Sequence, residues 1–288
     1  MRQLPLPGGP AAMPVLGLGT WRMGEASASR NAEVAAVRSA IDMGYRLIDT
    51  AEMYGEGGAE TVVGLALAEA LRAGAVKREE LLVVSKVYPH NASRRGTVSA
   101  CERSRKRLGL DRIDVYLLHW RGSHPLAETV EAMESLAQAG HIGSWGVSNF
   151  DVDDMQELSA VITRLGASAC ATNQVYFSLS ERGPEFSLLP WMRERAMPLM
   201  AYSPIDQGAL AEDDGLSELA GRLGVTAAQL ALAAVVARPG VAAIPKAVRS
   251  AHLKENLAAA DLQLDAATLA ELDRLHPPPR RKTPLAMI

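Results

Sequence analysis

The chain predicts a parallel (β/α)8 barrel, an α/β architecture, on three observations. Eight short apolar, β-friendly runs recur at roughly 25–45-residue intervals, with amphipathic helical segments between them. Nearly every run ends in a polar group: Asp49, Lys86, His119, Ser148 with Asn149, Gln174, Tyr202 with Ser203, and Lys246. The rival architecture, an open doubly wound sheet, lacks its glycine fingerprint, because Gly17-Leu-Gly19 runs on into Thr20-Trp21-Arg22. At 288 residues, with no low-complexity linker, the whole of 1–288 reads as one barrel domain.

The residues ahead of Val15, with a Gly8-Gly9 turn, are expected to form a short N-terminal β-hairpin that caps the bottom of the barrel. Strands are expected at 15–20, 46–50, 81–87, 114–120, 144–148, 171–176, 198–203 and 241–245. Val34, Val37 and Ile41 mark one helical face, with Gly44 as its stop. Val98, Cys101, Arg105 and Leu108 share another face, and Met133, Leu136 and Ala137 precede a stop near Gly140. Asp151 and Asp154 cap a helix carrying Met155, Leu158 and Ile162. Thr226 and Gln229 form a capping-box pattern before an Ala-, Leu- and Val-rich helix that Pro239-Gly240 ends. Segment 264–275 is an extra C-terminal helix, followed by a Pro277-Pro-Pro279 tail.

Composition narrows the partners. A net charge of -3 with no run of one sign speaks against nucleic acid or an anionic membrane. Pro5, Pro7, Gly8, Gly9, Pro10 and Pro14 break the N-terminus before a signal-peptide core forms, and no apolar run reaches membrane-spanning length. Cys101 and Cys170 read as buried small hydrophobes in a reducing compartment. The expectation is a soluble, cytoplasmic monomer whose partner is a small molecule.

In a parallel barrel the polar strand ends meet at one rim, where barrel active sites sit. Tyr54 offers a phenolic proton, but a pKa near 10 makes it a poor acid at neutral pH. An ammonium from Lys86 within about 4–6 Å favours the phenolate and lowers that pKa by roughly 1–3. Asp49 keeps Lys86 charged, and its own buried charge is offset in return. His119 is suited to holding a carbonyl oxygen in line with Tyr54. Such a site protonates an oxygen on which negative charge develops, as carbonyl reduction by hydride requires. The rest of the rim suits a hydride donor: Ser148, Asn149 and Gln174 for a carboxamide, Tyr202 as a stacking plate and Lys246 for a phosphate.

With these residues in view, the chain resembles the aldo-keto reductases. The matching motifs are Gly17-Leu-Gly19-Thr20-Trp21, Asp49-Thr-Ala-Glu-Met-Tyr54-Gly55, Val84-Ser85-Lys86, Leu117-Leu-His119-Trp120, Gly146-Val-Ser148-Asn149, Asn173-Gln174, Ala201-Tyr202-Ser203-Pro204 and Ile244-Pro245-Lys246. The resemblance implies a TIM barrel that binds NADPH in extended form, with a catalytic tetrad of Asp49, Tyr54, Lys86 and His119 and Tyr54 as proton donor. It implies cofactor contacts at Gly19, Thr20, Trp21 and Asp49, and at Ser148, Asn149 and Gln174. Further contacts fall at Tyr202, Ser203, Pro204, Gln207 and Leu210, with the backbone of 205–210 along the pyrophosphate, and at Lys246, Ala247, His252 and Asn256. Two positions depart from the family pattern: Ala247 stands where Ser is common, and His252 where an Arg often grips the 2′-phosphate. Lys246, with Arg249, can still hold that phosphate, but a neutral His is a weaker anion clamp than Arg, so NADPH is preferred with NADH possible.

By the same likeness Trp21, Tyr88 and Trp120 wall the substrate pocket. The loop Arg121-Gly-Ser-His-Pro125 and the tail after Leu275 are short, which implies an open, shallow cleft for small reactive aldehydes. These features resemble the bacterial branch that reduces methylglyoxal and similar 2-oxoaldehydes, with broad specificity. A second reading is a redox-sensing module that holds NADPH and signals to a partner protein. A third, a metal-dependent barrel hydrolase, finds no ligands: His90, His119, His124, His141, His252 and His276 include no His-x-His pair, so no metal is expected.

Overall fold

Each of the eight apolar runs forms a strand in the computed structural model, which describes residues 1–8 and 11–288. The N-terminal hairpin pairs β1 (Gln3–Pro5) with β2 (Ala12–Pro14), with Leu4 opposite Met13. Its expected turn reaches Gly9, which lies outside the described residues.

The barrel strands are β3 (Leu18–Gly19), β4 (Leu47–Asp49), β5 (Leu82–Val87), β6 (Ile113–Leu118), β7 (Ile142–Ser148), β8 (Asn173–Tyr176), β9 (Leu199–Tyr202) and β10 (Val241–Ala243). They pair in sequence order, all parallel. The ring closes where Ala243 N donates to Val15 O and Gly17 N to Ala243 O, both at 2.9 Å. Gly19 N continues the seam to Pro245 O at 3.1 Å. Such strands, buried on both sides, read as continuous apolar runs rather than alternating ones.

The helices wrap the outside: α1 (Arg30–Met43), α2 (Gly58–Arg72), α3 (Arg94–Leu108), α4 (Leu126–Gln138), α5 (Val152–Leu165), α6 (Leu188–Arg193), α7 (Asp214–Leu223), α8 (Ala227–Val236), α9 (Ser250–Ala259) and α10 (Ala266–Leu275). Gly44 ends α1 in the left-handed region at φ 106°. Asp151 and Asp154 cap α5 reciprocally, as do Thr226 and Gln229 for α8. The seventh unit departs from one helix per strand: Gly224, at φ 70°, stops α7, and the Thr226 cap starts α8 at an angle of 86°. Among the described residues no single helix is long and apolar enough to cross a membrane.

Apolar packing falls in three regions. The largest lies between strands and helices. A second fills the barrel with Leu47, Val84, Val115, Leu117, Met200 and Ile244, and Leu6 and Met13 of the hairpin plug its bottom. A third joins α7, α8 and α10 to the segment after β9 through Leu210, Leu216, Leu230 and Leu272. Cys101 and Cys170 are buried free thiols, pushed by burial up to about 12. With the hairpin closing one end, polar side chains have only the opposite rim on which to gather.

Candidate active site

Asp49 ends β4, and Lys86 lies near the end of the neighbouring β5; both are fully buried. The Lys86 ammonium has three acceptors: Asp49 Oδ2 at 2.8 Å, the Thr50 carbonyl at 2.9 Å and the Tyr54 hydroxyl oxygen at 3.1 Å. An ammonium has three N–H donors, so each finds a partner. Asp49 is held from its other oxygen by Gln174 Nε2 at 2.7 Å. Burial pushes the Asp49 carboxyl up and the Lys86 ammonium down, and their mutual attraction opposes both.

Tyr54 stands on a short turn after β4, where Gly55 and Glu56 are left-handed (φ 56° and 52°). The turn rests against the loop that follows β3. A Cβ on Gly24 would sit 2.1 Å from the Gly58 carbonyl carbon, and one on Gly55 2.9 Å from the Gly24 carbonyl carbon. Three glycines thus allow two backbones to touch where a side chain would separate them.

The expectation that Lys86 lowers the Tyr54 pKa is overturned. Burial, then the Asp49 charge, holds the phenol well above its usual value of 10.0. The ammonium is within hydrogen-bond reach, but desolvation of a phenolate outweighs it. Tyr54 rests as a neutral phenol that can give a proton.

His119 follows β6, its ring edge-to-face with Tyr54 at 5.7 Å between centroids. Burial and the Lys86 charge keep it well below 6.5, so it is neutral. Its Nδ1 is buried and has no partner among the described residues. Protonating Nδ1 would strand a buried donor, so the favoured tautomer carries its hydrogen on Nε2.

These groups open on a cavity of about 500 Å³. Of the residues named from the sequence, Gly19, Trp21, Asp49, Tyr54, His119, Trp120, Ser148, Asn149, Gln174, Tyr202, Ser203, Pro204, Gln207 and Lys246 line it. Lys86 sits behind Asp49 and Tyr54. Thr20 is not on the wall: it is buried and donates to the Asp49 carbonyl at 2.9 Å. Leu210 and Ala247 are packed in apolar clusters, and His252 and Asn256 lie on α9, away from the lining. Tyr88 is not on the wall either, but packs edge-on to Trp120 at 5.9 Å, so it backs the pocket rather than lining it. Arg121 bonds to Glu157 of α5 at 3.0 Å and to the Gly122 carbonyl of its own loop at 2.7 Å.

The tail adds to the wall, because Met287 and Ile288 line the cavity while staying about half exposed, at 53% and 54%. The tail is fastened on its way there. Arg182 donates to the His276 carbonyl at 2.5 Å, Lys282 pairs with Asp153 at 2.9 Å, and Leu285 packs on the main core. A proline-rich tail without periodicity gives no sequence signal for such a path. Arg22 and Met53, also on the wall, were missed, although Arg22 follows the Trp21 motif and Met53 stands inside the Tyr54 motif.

Residues 15–277 match the profile of the aldo/keto reductase family. The chain belongs to that family. Methylglyoxal reductase YeaE of Escherichia coli (strain K12) is 47% identical to this reductase over 285 residues, 97% of each chain. Glyoxal reductase of Bacillus subtilis (strain 168) is 33% identical over 266 residues, 92% of this chain and 89% of that one. An aldo-keto reductase from Klebsiella pneumoniae, solved in complex with NADPH, superposes with a TM-score of 0.90 at 48% identity, covering all of both chains.

The cavity wall brings an aromatic ring, hydroxyl and amide groups and a cation together. One face of Tyr202 is stacked on Tyr176, with centroids 5.7 Å apart and planes 16° apart, so the other can serve the cavity. Ser148 Oγ donates to the Gln174 carbonyl at 2.8 Å, and Asn149 Nδ2 to the His119 carbonyl at 3.2 Å. These bonds fix the amide and hydroxyl groups beside the tetrad. Lys246, also on the lining, supplies an exposed cation.

Proposed function

We propose that this chain reduces small aldehydes to alcohols with NADPH, 2-oxoaldehydes such as methylglyoxal among them. The observation that carries this reading is the Lys86 ammonium held between Asp49 and Tyr54, with the phenol facing the cavity beside a neutral His119. The names of YeaE and of the glyoxal reductase support the substrate class, and the Klebsiella complex supports the cofactor.

When bound, NADPH supplies the hydride. Every other task falls to the chain. Tyr202, Ser148, Asn149 and Gln174 orient the nicotinamide end, and Lys246 meets a phosphate. His119 Nε2–H and the Tyr54 hydroxyl bind the carbonyl oxygen, which fixes its distance and angle. As charge grows on that oxygen, Tyr54 yields its proton, and the phenolate formed is stabilised by the Lys86 ammonium at hydrogen-bond distance. Asp49 keeps that ammonium charged. Trp21, Trp120, Met53, Met287 and Ile288 give the cavity apolar walls.

We take the chain to work as one barrel unit, a monomer in the cytoplasm, with NADH as a weaker donor. The loss of NADPH absorbance on adding methylglyoxal or phenylglyoxal tests the function. Tight NADPH binding without consumption across such a panel would refute it and favour a sensing role.

A further inference from the structure

Glu52 stands just ahead of Tyr54 and takes no part in that chemistry. Met53 and Tyr54 line the cavity, whereas the Glu52 side chain is buried and turned to the segment after β5. Its Oε1 accepts from Tyr88 N at 2.8 Å, the first amide beyond the strand, and from Asn91 Nδ2 at 3.0 Å. Asn91 N donates back to the Tyr88 carbonyl at 2.9 Å, so one carboxylate oxygen grips both ends of a closed turn at 88–91. Oε2 meets Arg103 of α3 at 3.4 Å, but that guanidinium is half exposed and the pair is weak.

The 88–91 turn supports the loop that carries Trp120. The Tyr88 ring is edge-on to Trp120 at 5.9 Å. Pro89 lies against Gly122, where an added Cβ would come 2.6 Å from the proline Cβ. The His90 carbonyl meets His124 Nε2 at 3.2 Å. Trp120 lines the cavity, so the wall it forms rests on a turn that Glu52 holds.

His119 is fixed separately. Its N donates to the Val87 carbonyl at 3.1 Å, and its own carbonyl accepts from Asn149. Its contact with Tyr88 is longer, 6.4 Å between centroids. Freeing the turn therefore loosens the wall and leaves the ring that binds the carbonyl oxygen in place.

We infer that Glu52 is a positioning residue that sets which aldehydes the site prefers: by fixing the 88–91 turn it holds the Trp120 wall against which a substrate's substituent packs. The inference rests on the aldehyde-reductase reading. An enzyme discriminates by the ratio of kcat/KM values, to which parts of the substrate remote from the reacting carbon contribute. Phenylglyoxal and methylglyoxal present the same aldehyde and differ in a phenyl ring against a methyl group. Only the ring is large enough to need the wall.

Steady-state kinetics with both aldehydes, beside NADPH affinity from fluorescence titration, reads the effect. Glu52→Ala is expected to lower kcat/KM for phenylglyoxal about tenfold, chiefly through KM, the equivalent of one or two lost hydrogen bonds. For methylglyoxal, and for NADPH affinity, the change is expected to stay within about twofold. Glu52→Gln keeps an acceptor for Tyr88 N and is expected to restore most of the preference. Asn91→Ala, which removes one of the two bonds, is expected to shift the ratio about threefold. An unchanged ratio in Glu52→Ala and Asn91→Ala would overturn the inference, and Asn91→Ala alone decides if Glu52→Ala does not fold. An equal fall for both aldehydes would also overturn it, by reducing Glu52 to a structural role. A parent enzyme that consumes neither aldehyde would overturn the reductase reading, and the inference with it.

Discussion

The hydrogen bond between Lys86 and Tyr54 runs from the ammonium to the phenol oxygen, across 3.1 Å. The phenol's own hydrogen is therefore left for an acceptor in the cavity. Burial and the Asp49 charge keep it on the oxygen in the resting site. The ammonium's influence is largest once a phenolate has formed, which is the differential stabilisation catalysis requires.

Tyr54→Phe should separate binding from chemistry. The ring still fills its place, so NADPH binding is expected to change little while kcat falls by about 10²–10⁴. Fluorescence titration and steady-state kinetics measure the two. A Phe variant turning over at the parent rate would move the proton donor elsewhere.

The depressed His119 pKa makes a stability prediction. An unfolded histidine takes up its proton near 6.5, whereas folded His119 does so only well below that. Between the two values the unfolded chain binds more protons. The contribution is therefore fully present above about pH 6.5 and is lost as pH falls toward the folded value. Urea midpoints at about pH 7.5 and about pH 5 should show a smaller acid loss in His119→Gln than in the parent. Equal losses would mean that His119 titrates normally in the fold.

The barrel was legible because its strands are buried on both faces and end in polar residues, a pattern that survives in one dimension. Asp49, Tyr54, Lys86 and His119 were legible for the same reason: each interrupts or follows an apolar run. The Tyr54 pKa was not, because it depends on how completely the 54–58 turn is desolvated. Met287 and Ile288 were not legible either, since Lys282–Asp153 and Leu285 fix the tail through contacts distant in sequence. Nor was the gap between α7 and α8, where Gly224 and Thr226 divide one barrel unit into two helices.

Gly24 should tolerate no side chain. Its φ is +73°, and an added Cβ would lie 2.1 Å from the Gly58 carbonyl carbon and 2.5 Å from Ala59 N. Both are backbone atoms, so relief requires the Tyr54-bearing turn to move. Gly24→Ala is expected to cost about 1–3 kcal/mol of stability and to lower kcat through the displaced phenol. An unchanged urea midpoint would show that the two loops can part freely.

Glu60 offers the test of what lies behind Lys86. It is fully buried on α2, accepting from Ser85 Oγ at 2.5 Å and Arg107 Nε at 2.6 Å. Ser85 precedes Lys86 on β5, and the Glu60 charge helps hold the Lys86 ammonium against the burial that lowers it. Glu60→Gln keeps the volume and removes the charge. Its cost in stability is expected near 3 kcal/mol, the low end for breaking a buried pair, because Arg107 is 25% exposed. With less negative charge nearby, Lys86 loses its proton more readily. The alkaline limb of kcat against pH should then move to lower pH. A repacking effect alone would lower kcat evenly and leave that limb in place, and such a profile would confine Glu60 to holding α2, α3 and β5 together.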